Sequence, residues 1–207
     1  MDFHSFRQRW LPNRRRLWHK WGKMDRSHPN PQPIDSVRLE ELALAYVARF
    51  ATSRAKLEVY LRRKLRERGW GGEGEPPIVA LAERLVSAGY VDDAAYARAK
   101  SGSLLRRGYG MRRVSQALGA AGIAEDVRDD VRPGKGAARR AALTMARKRG
   151  FGPFGPAQVD RAKREKQIAA MLRAGHPLDS ARELVDAPTV DAAEEWAAQA
   201  CEDDACE

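Results

Sequence analysis

The chain has 207 residues, 43% hydrophobic and 32% charged, enough to bury a core of its own as one domain or a short array. Its formal net charge of +10 points to a polyanionic partner, nucleic acid above all. No apolar run approaches the ~20 residues that span a bilayer, the N-terminus lacks the apolar stretch of a secretory signal, and two cysteines make no disulfide framework, so a cytoplasmic protein without membrane contact is expected.

The charge is unevenly spread. Residues 1–23 hold seven Lys/Arg and one Asp, and residues 186–207 hold eight Asp/Glu with no Lys/Arg. The first stretch mixes Trp10, Trp18 and Trp21 with Arg14, Arg15 and Arg16, a composition that can grip phosphates and stack on bases. Met24 and the Pro-rich SHPNPQP follow, so Met24 offers an alternative start of translation. Residues 1–34 read as a basic, disordered extension and linker.

Helical periodicity begins at Asp35, where Leu39, Leu42, Ala43, Tyr46, Val47 and Phe50 recur at steps of three and four. Ser53 is a good N-cap for a second helix with the stripe Leu57, Leu61 and Leu65, stopped at Gly69. After the loop GGEGEPP, Pro76-Pro77 suits the opening of a third helix, with Ile78, Leu81, Ala82, Leu85 and Val86 as its buried face. These three helices form a first repeat, 35–91.

A second repeat, 92–133, opens at Asp92 and Asp93, acidic residues suited to a helix N-terminus. Tyr96, Ala99, Leu104 and Leu105 mark its first helix, Met111, Val114 and Leu118 its second, and Ile123, Val127 and Val131 a short third. A third repeat, 134–187, has Ala138, Ala141, Ala142 and Met145 facing inward. A turn-like FGPFGPAQ follows, then a helix from about Ala157 to Ala174, and a last one opened by Pro177 with Leu178, Ala181, Leu184 and Val185 apolar. Residues 188–207 read as an acidic tail with a short helix capped at Asp191 and Glu194.

The second helices share one build. Ser53-RAKLEVYLRRKLRERG-Trp70 and Gly110-MRRVSQALGAAG-Ile123 both run through a basic amphipathic helix to Leu, three residues and Gly, and Met171-LRAG-His176 is a third copy. Gly69, Gly122 and Gly175 are spaced by 53 residues each time, as in a repeat protein whose units complete each other's cores.

No catalytic, cofactor-binding or metal-binding constellation is present. The four histidines are isolated, there is no CxxC, HExxH or Walker spacing, and GKGAAR at 134–139 follows no strand. What recurs is charge. The candidate contacts for partner or nucleic acid are Arg54, Arg62, Arg63 and Arg66 in the first repeat, with Lys56 and Lys64 beside them. Arg106, Arg107, Arg112 and Arg113 follow in the second. The third has Arg139, Arg140, Arg147, Lys148 and Arg149, then Arg161, Lys163, Arg164 and Lys166. A single charged helix face is ordinarily just solvated; recurrence in every unit favours a function.

The phrases Ser53-Arg54-x-x-Leu57, Gly89-Tyr90-Val91-Asp92-Asp93-x-x-Tyr96-Ala97 and Gly110-x-x-Arg113-Val114-x-x-x-Leu118-x-x-x-Gly122-Ile123 resemble the RecX family of bacterial recombinase regulators. The resemblance covers about 39–186 and is most specific in 85–123, whereas Phe151 to Gly155 departs from the family's pattern. It implies an all-α fold of three tandem three-helix repeats in a curved, elongated array. It also implies a monomer that binds the RecA recombinase filament on single-stranded DNA, meets DNA through phosphates, and suppresses ATPase, strand-exchange and coprotease activities without catalysis of its own. Asp92, Asp93, Tyr96, Leu118 and Gly122 carry the motif as structural residues. A helix-turn-helix-like module reading DNA directly, with Arg112 and Arg113 at the start of a recognition helix, is the alternative.

Overall fold

The three- and four-residue apolar spacing closes into ten α-helices and no strand among the described residues. These are residues 32–156 and 160–204 of a computed structural model, the last four in backbone only. The expectations for the basic extension up to residue 31, for Met24 and for the cysteine side chains lie outside them. Residues 33–207 cluster as one unit.

The first bundle comprises α1 (Ser36–Arg49), α2 (Arg54–Arg68) and α3 (Ile78–Ser87). Asp35 caps α1 by accepting from the Arg38 amide at 2.8 Å. Leu39, Ala43, Leu57, Leu61, Ile78, Leu81 and Leu85 share one core with Ile34, and each large aliphatic there contributes about 1.5–3 kcal/mol by its burial. Two residues expected on apolar faces turn outward: Phe50, which ends α1 in an extended conformation, is 52% exposed, and Val86 is 40% exposed.

The second bundle comprises α4 (Asp93–Arg106), α5 (Met111–Gly119) and the six-residue α6 (Glu125–Asp130). Its core is Ala97, Leu104, Val114, Leu118, Ala121 and Ile123. Ala97 and Ser101 rather than Ala99 face inward from α4, because the helix lies with the Ala97–Ser101–Leu104 stripe on α5. Asp92 is the N-cap of α4, its carboxylate accepting from the Ala95 amide at 2.8 Å.

The third bundle comprises α7 (Lys135–Arg149), α8 (Arg161–Arg173) and α9 (Leu178–Asp186), with a 3-10 turn at Gly152–Phe154 inside the FGPFGP segment. Gln167, buried on α8, accepts from the Gly152 amide at 3.0 Å and so fixes that turn. Leu178 points outward at the first position of α9.

The acidic tail is more than a short helix. Residues Val190–Asp204 form α10, which packs on α7 and buries Ala193, Ala197 and Ala200. Its cap is Thr189, whose hydroxyl accepts from the Ala192 amide at 3.1 Å, and not Asp191. Small residues along this stripe let the two helices approach closely, so α10 is a fourth helix of the third bundle.

Candidate functional site

The residues of the repeated phrases meet where one bundle joins the next. At the first joint the N-terminus of α2 sits on the C-terminus of α5. Ser53, fully buried, both caps α2 by accepting from the Lys56 amide at 3.3 Å and donates to the Ala121 carbonyl at 2.6 Å. Asp93 accepts from the Arg54 amide at 2.8 Å, so it caps a helix 39 residues earlier in the chain. Gly122, at φ +71°, leaves room for Ala55; a Cβ there would lie 2.3 Å from the Ala55 methyl. Lys56 reaches Tyr96, donating to its hydroxyl at 3.2 Å and lying over its ring.

At the second joint the N-terminus of α5 sits on the C-terminus of α8. The Gly110 amide donates to the Ala174 carbonyl at 2.9 Å and the Arg112 amide to that of Gly175 at 3.2 Å. The Arg112 guanidinium donates to the Leu172 carbonyl at 3.0 Å. His176 is buried, and its Nε2 lies 3.0 Å from the Gly108 carbonyl. A carbonyl only accepts, so Nε2 carries a proton; burial pushes the ring's pKa below the usual value and so favours its neutral form, partly opposed by that hydrogen bond.

The C-terminus of α2 meets the chain ahead of α1 instead. Ile34 donates to the Gly69 carbonyl and accepts from the Gly71 amide, both at 3.0 Å, and forms an isolated parallel bridge with Trp70. Gly69-Trp70, Gly122-Ile123 and Gly175-His176 are thus three copies of one socket, filled by Ile34, by the start of α2 and by the start of α5. Chain order gives no pairing for these sockets, so the second role of Ser53, the reach of Asp93 and the place of His176 are not readable from it.

The basic candidates divide by what they touch. Arg62, Arg63 and Arg66 are exposed along α2; Arg62 pairs with Glu58 at 2.8 Å and Arg63 with Glu67 at 3.7 Å. The Lys64 ammonium, hydrogen-bonded to Glu67, holds that carboxyl below its ordinary range. Arg54 bonds Glu58 and Glu83. Arg106, Arg107, Arg113, Arg140, Lys148, Arg149, Arg161, Lys163 and Lys166 are exposed, Arg107 lying over Tyr109 and Lys148 donating to the Arg106 carbonyl at 3.3 Å.

Three candidates are engaged inside the third bundle. Arg139 donates to the Trp196 carbonyl at 2.8 Å and lies 4.7 Å from its ring centre. Arg147 pairs with Glu194 and covers Phe154. Arg164 grips both carboxylate oxygens of Asp186, which holds its positive charge more firmly than usual. Sequence spacing alone puts these three on the open face, because it does not say that α10 and α9 lie against them.

Among the described residues no group of His, Cys, Asp and Glu is placed to hold a metal ion, and no helix is long and apolar enough to cross a membrane. One cluster has no counterpart among the sequence candidates. Tyr46 and Tyr60 stack with ring centres 4.1 Å apart, Phe50 tilts against Tyr46 at 5.3 Å, and Arg49 and Arg63 lie over Phe50 and Tyr60. The signal available for it was an aromatic pair four residues apart at the end of α1.

Joints, sockets and cores together define a class: a tandem array of three-helix units whose second helices abut end to start. The family model described as the second three-helix domain of RecX matches residues 92–131. The regulatory protein RecX of Myxococcus xanthus is 31% identical over 173 residues, covering 79% of this chain and 92% of that protein. The regulatory protein RecX of Thermus thermophilus is 40% identical over 91 residues, covering 44% of this chain and 61% of that one. A crystal structure of RecX from Lactobacillus salivarius shares the fold with a TM-score of 0.56, at 17% identity over 73% of this chain and 95% of that chain. The chain belongs to the RecX family of regulatory proteins.

Proposed function

We propose that this protein is a cytoplasmic, monomeric brake on homologous recombination, which binds the RecA filament on single-stranded DNA and lowers its ATPase, strand-exchange and coprotease activities. It would act in DNA repair and the SOS response by stoichiometric binding, with no catalytic step. The observation that carries this reading is the recurrence of exposed cations on successive units: Arg62, Arg63 and Arg66 on α2, Arg106, Arg107 and Arg113 around α5, and Arg140, Lys148, Arg161 and Lys163 on the third bundle. Such a series suits a long polyanionic surface, DNA phosphates or acidic protein, and its binding weakens with salt.

The reading of α5 as a recognition helix has less support. The start of that helix is docked on Ala174 and Gly175 and Arg112 bonds Leu172, so of the two residues that would enter a groove Arg112 already holds the second joint.

The test is the RecA ATPase on single-stranded DNA. Exposed ion pairs contribute little, so single arginine changes act mildly. The triple change Arg62→Glu, Arg63→Glu and Arg66→Glu should abolish inhibition while circular dichroism keeps its helical signal. A folded triple variant that inhibits at wild-type concentrations removes the α2 face as the contact. A wild-type protein inert toward its own species' RecA filaments removes the function.

A further inference from the structure

The shallow groove at the first joint is lined by Tyr46, Val59 and Tyr60 on one side, by Ala120 and its neighbours at the end of α5 on the other, and by Lys56 and Arg63 at its rim. Its volume is about 430 Å³. Its lining contains two cations and no carboxylate. The cleft beneath α5 and α6, by contrast, sets Glu125 and Asp129 beside Arg128 and Arg132, a mixed lining that selects no sign of charge.

Three features of the groove converge on one ligand chemistry. One face of Tyr60 is taken by Tyr46 and the other is covered by the Arg63 guanidinium, 5.6 Å from the ring centre, so a base reaches that face only as Arg63 swings out to a phosphate. Val59, 60% exposed, and Phe50 extend the apolar surface into solvent beside cations. Stacked aromatics with an edge of Lys and Arg are how sequence-tolerant single-strand sites hold a base by its π-face and its neighbours by their phosphates. An acidic protein segment would find the cations but leave the aromatic surface unused.

We propose that this groove takes an unpaired nucleobase of single-stranded nucleic acid, packed against Tyr60, Tyr46 and Val59, with the flanking phosphates at Arg63 and Lys56. The site gives the chain a base-contacting activity of its own, beyond phosphate contact made in company with RecA. It lies at a joint between units, so the strand would run from α2 onto the end of α5.

The test contains no RecA, and its outcome is therefore separate from that of the brake. Fluorescence anisotropy compares a twelve-residue oligothymidylate with an abasic strand of equal length and charge. The wild-type protein should bind the base-bearing strand about five- to tenfold more tightly. Tyr60→Leu, which keeps apolar bulk, and Ala120→Met, which fills the groove from an exposed position without adding a ring, should each bring that ratio to about one with abasic affinity unchanged. A 5-iododeoxyuridine strand should crosslink to the Tyr46–Phe50–Tyr60 cluster. Equal binding of the two strands by wild type, a crosslink mapped elsewhere, or a ratio that survives Ala120→Met overturns the proposal.

Discussion

The joint between the first and second bundles and that between the second and third place the same parts in the same order, yet different chemistry holds each. At the first, side chains make the bonds: the Ser53 hydroxyl to Ala121 and the Asp93 carboxylate to the Arg54 amide. At the second, main chain also meets main chain, the Gly110 and Arg112 amides donating to Ala174 and Gly175 beside the side-chain bonds of Arg112 and His176, and Gly110 takes the place of the capping serine with no side-chain cap at all. The difference teaches that the repeat preserves a docking geometry and not a set of residues. Where two glycines face each other, the backbones close until their own donors and acceptors pair.

Breaking the glycine joint should have the largest effect. A Cβ on Gly110 would stand 2.3 Å from the carbonyl carbon and oxygen of Gly175, and backbone atoms cannot rotate away. Gly110→Ala should therefore lower stability by about 3 kcal/mol or more in urea unfolding, the upper range for overpacking. A loss under ~1 kcal/mol would mean that this joint opens readily and is no fixed part of the fold.

The side-chain joint should be gentler to break. Ser53→Ala removes the α2 cap and leaves the buried Ala121 carbonyl without that donor, a loss of about 2 kcal/mol. Chemical denaturation of the single variant reads it. If Ser53→Ala costs as much as Gly110→Ala, hydroxyl and glycine joints are equally rigid and the contrast between them dissolves.

The smallest effect expected is with pH, and it separates the joints by kind. His176 is neutral and buried at the second joint, with its folded pKa held below the unfolded value of about 6.5. The unfolded chain therefore binds the proton first as pH falls. Stability is full above about pH 6.5 and is lost as pH drops through the folded pKa. Unfolding midpoints at pH 7.5 and 5.5 should differ in the wild type, the lower pH being less stable, and differ less in His176→Asn. Equal midpoints in wild type would mean the imidazole is hydrated when protonated, and the second joint is looser than its geometry.

The helices were legible because each is a local matter. Leu57, Leu61 and Leu65 on α2 announce a stripe, Asp92 announces a start, and Gly69, Gly122 and Gly175 announce stops by a spacing of 53 residues, since only glycine enters their positive φ without strain. The cation-rich faces were legible as composition, though not as surface. Spacing alone turns Phe50 inward, and it is exposed because α1 ends there and the chain turns extended.

The sequence by itself determined the repeat: its period, its three cores and the residue types able to cap or stop each helix, all set by side-chain spacing and backbone preference within a few turns of chain. The tertiary structure decided the pairings. That Asp93 caps α2, that α10 claims Arg139 and Arg147 from the basic face, and that Tyr46 and Tyr60 stack beside the end of α5 depend on which helix end arrives where. The physical reason is that a cap, a cation or an aromatic ring takes whatever complementary group packing brings within a few ångströms, and neither period nor composition encodes that distance.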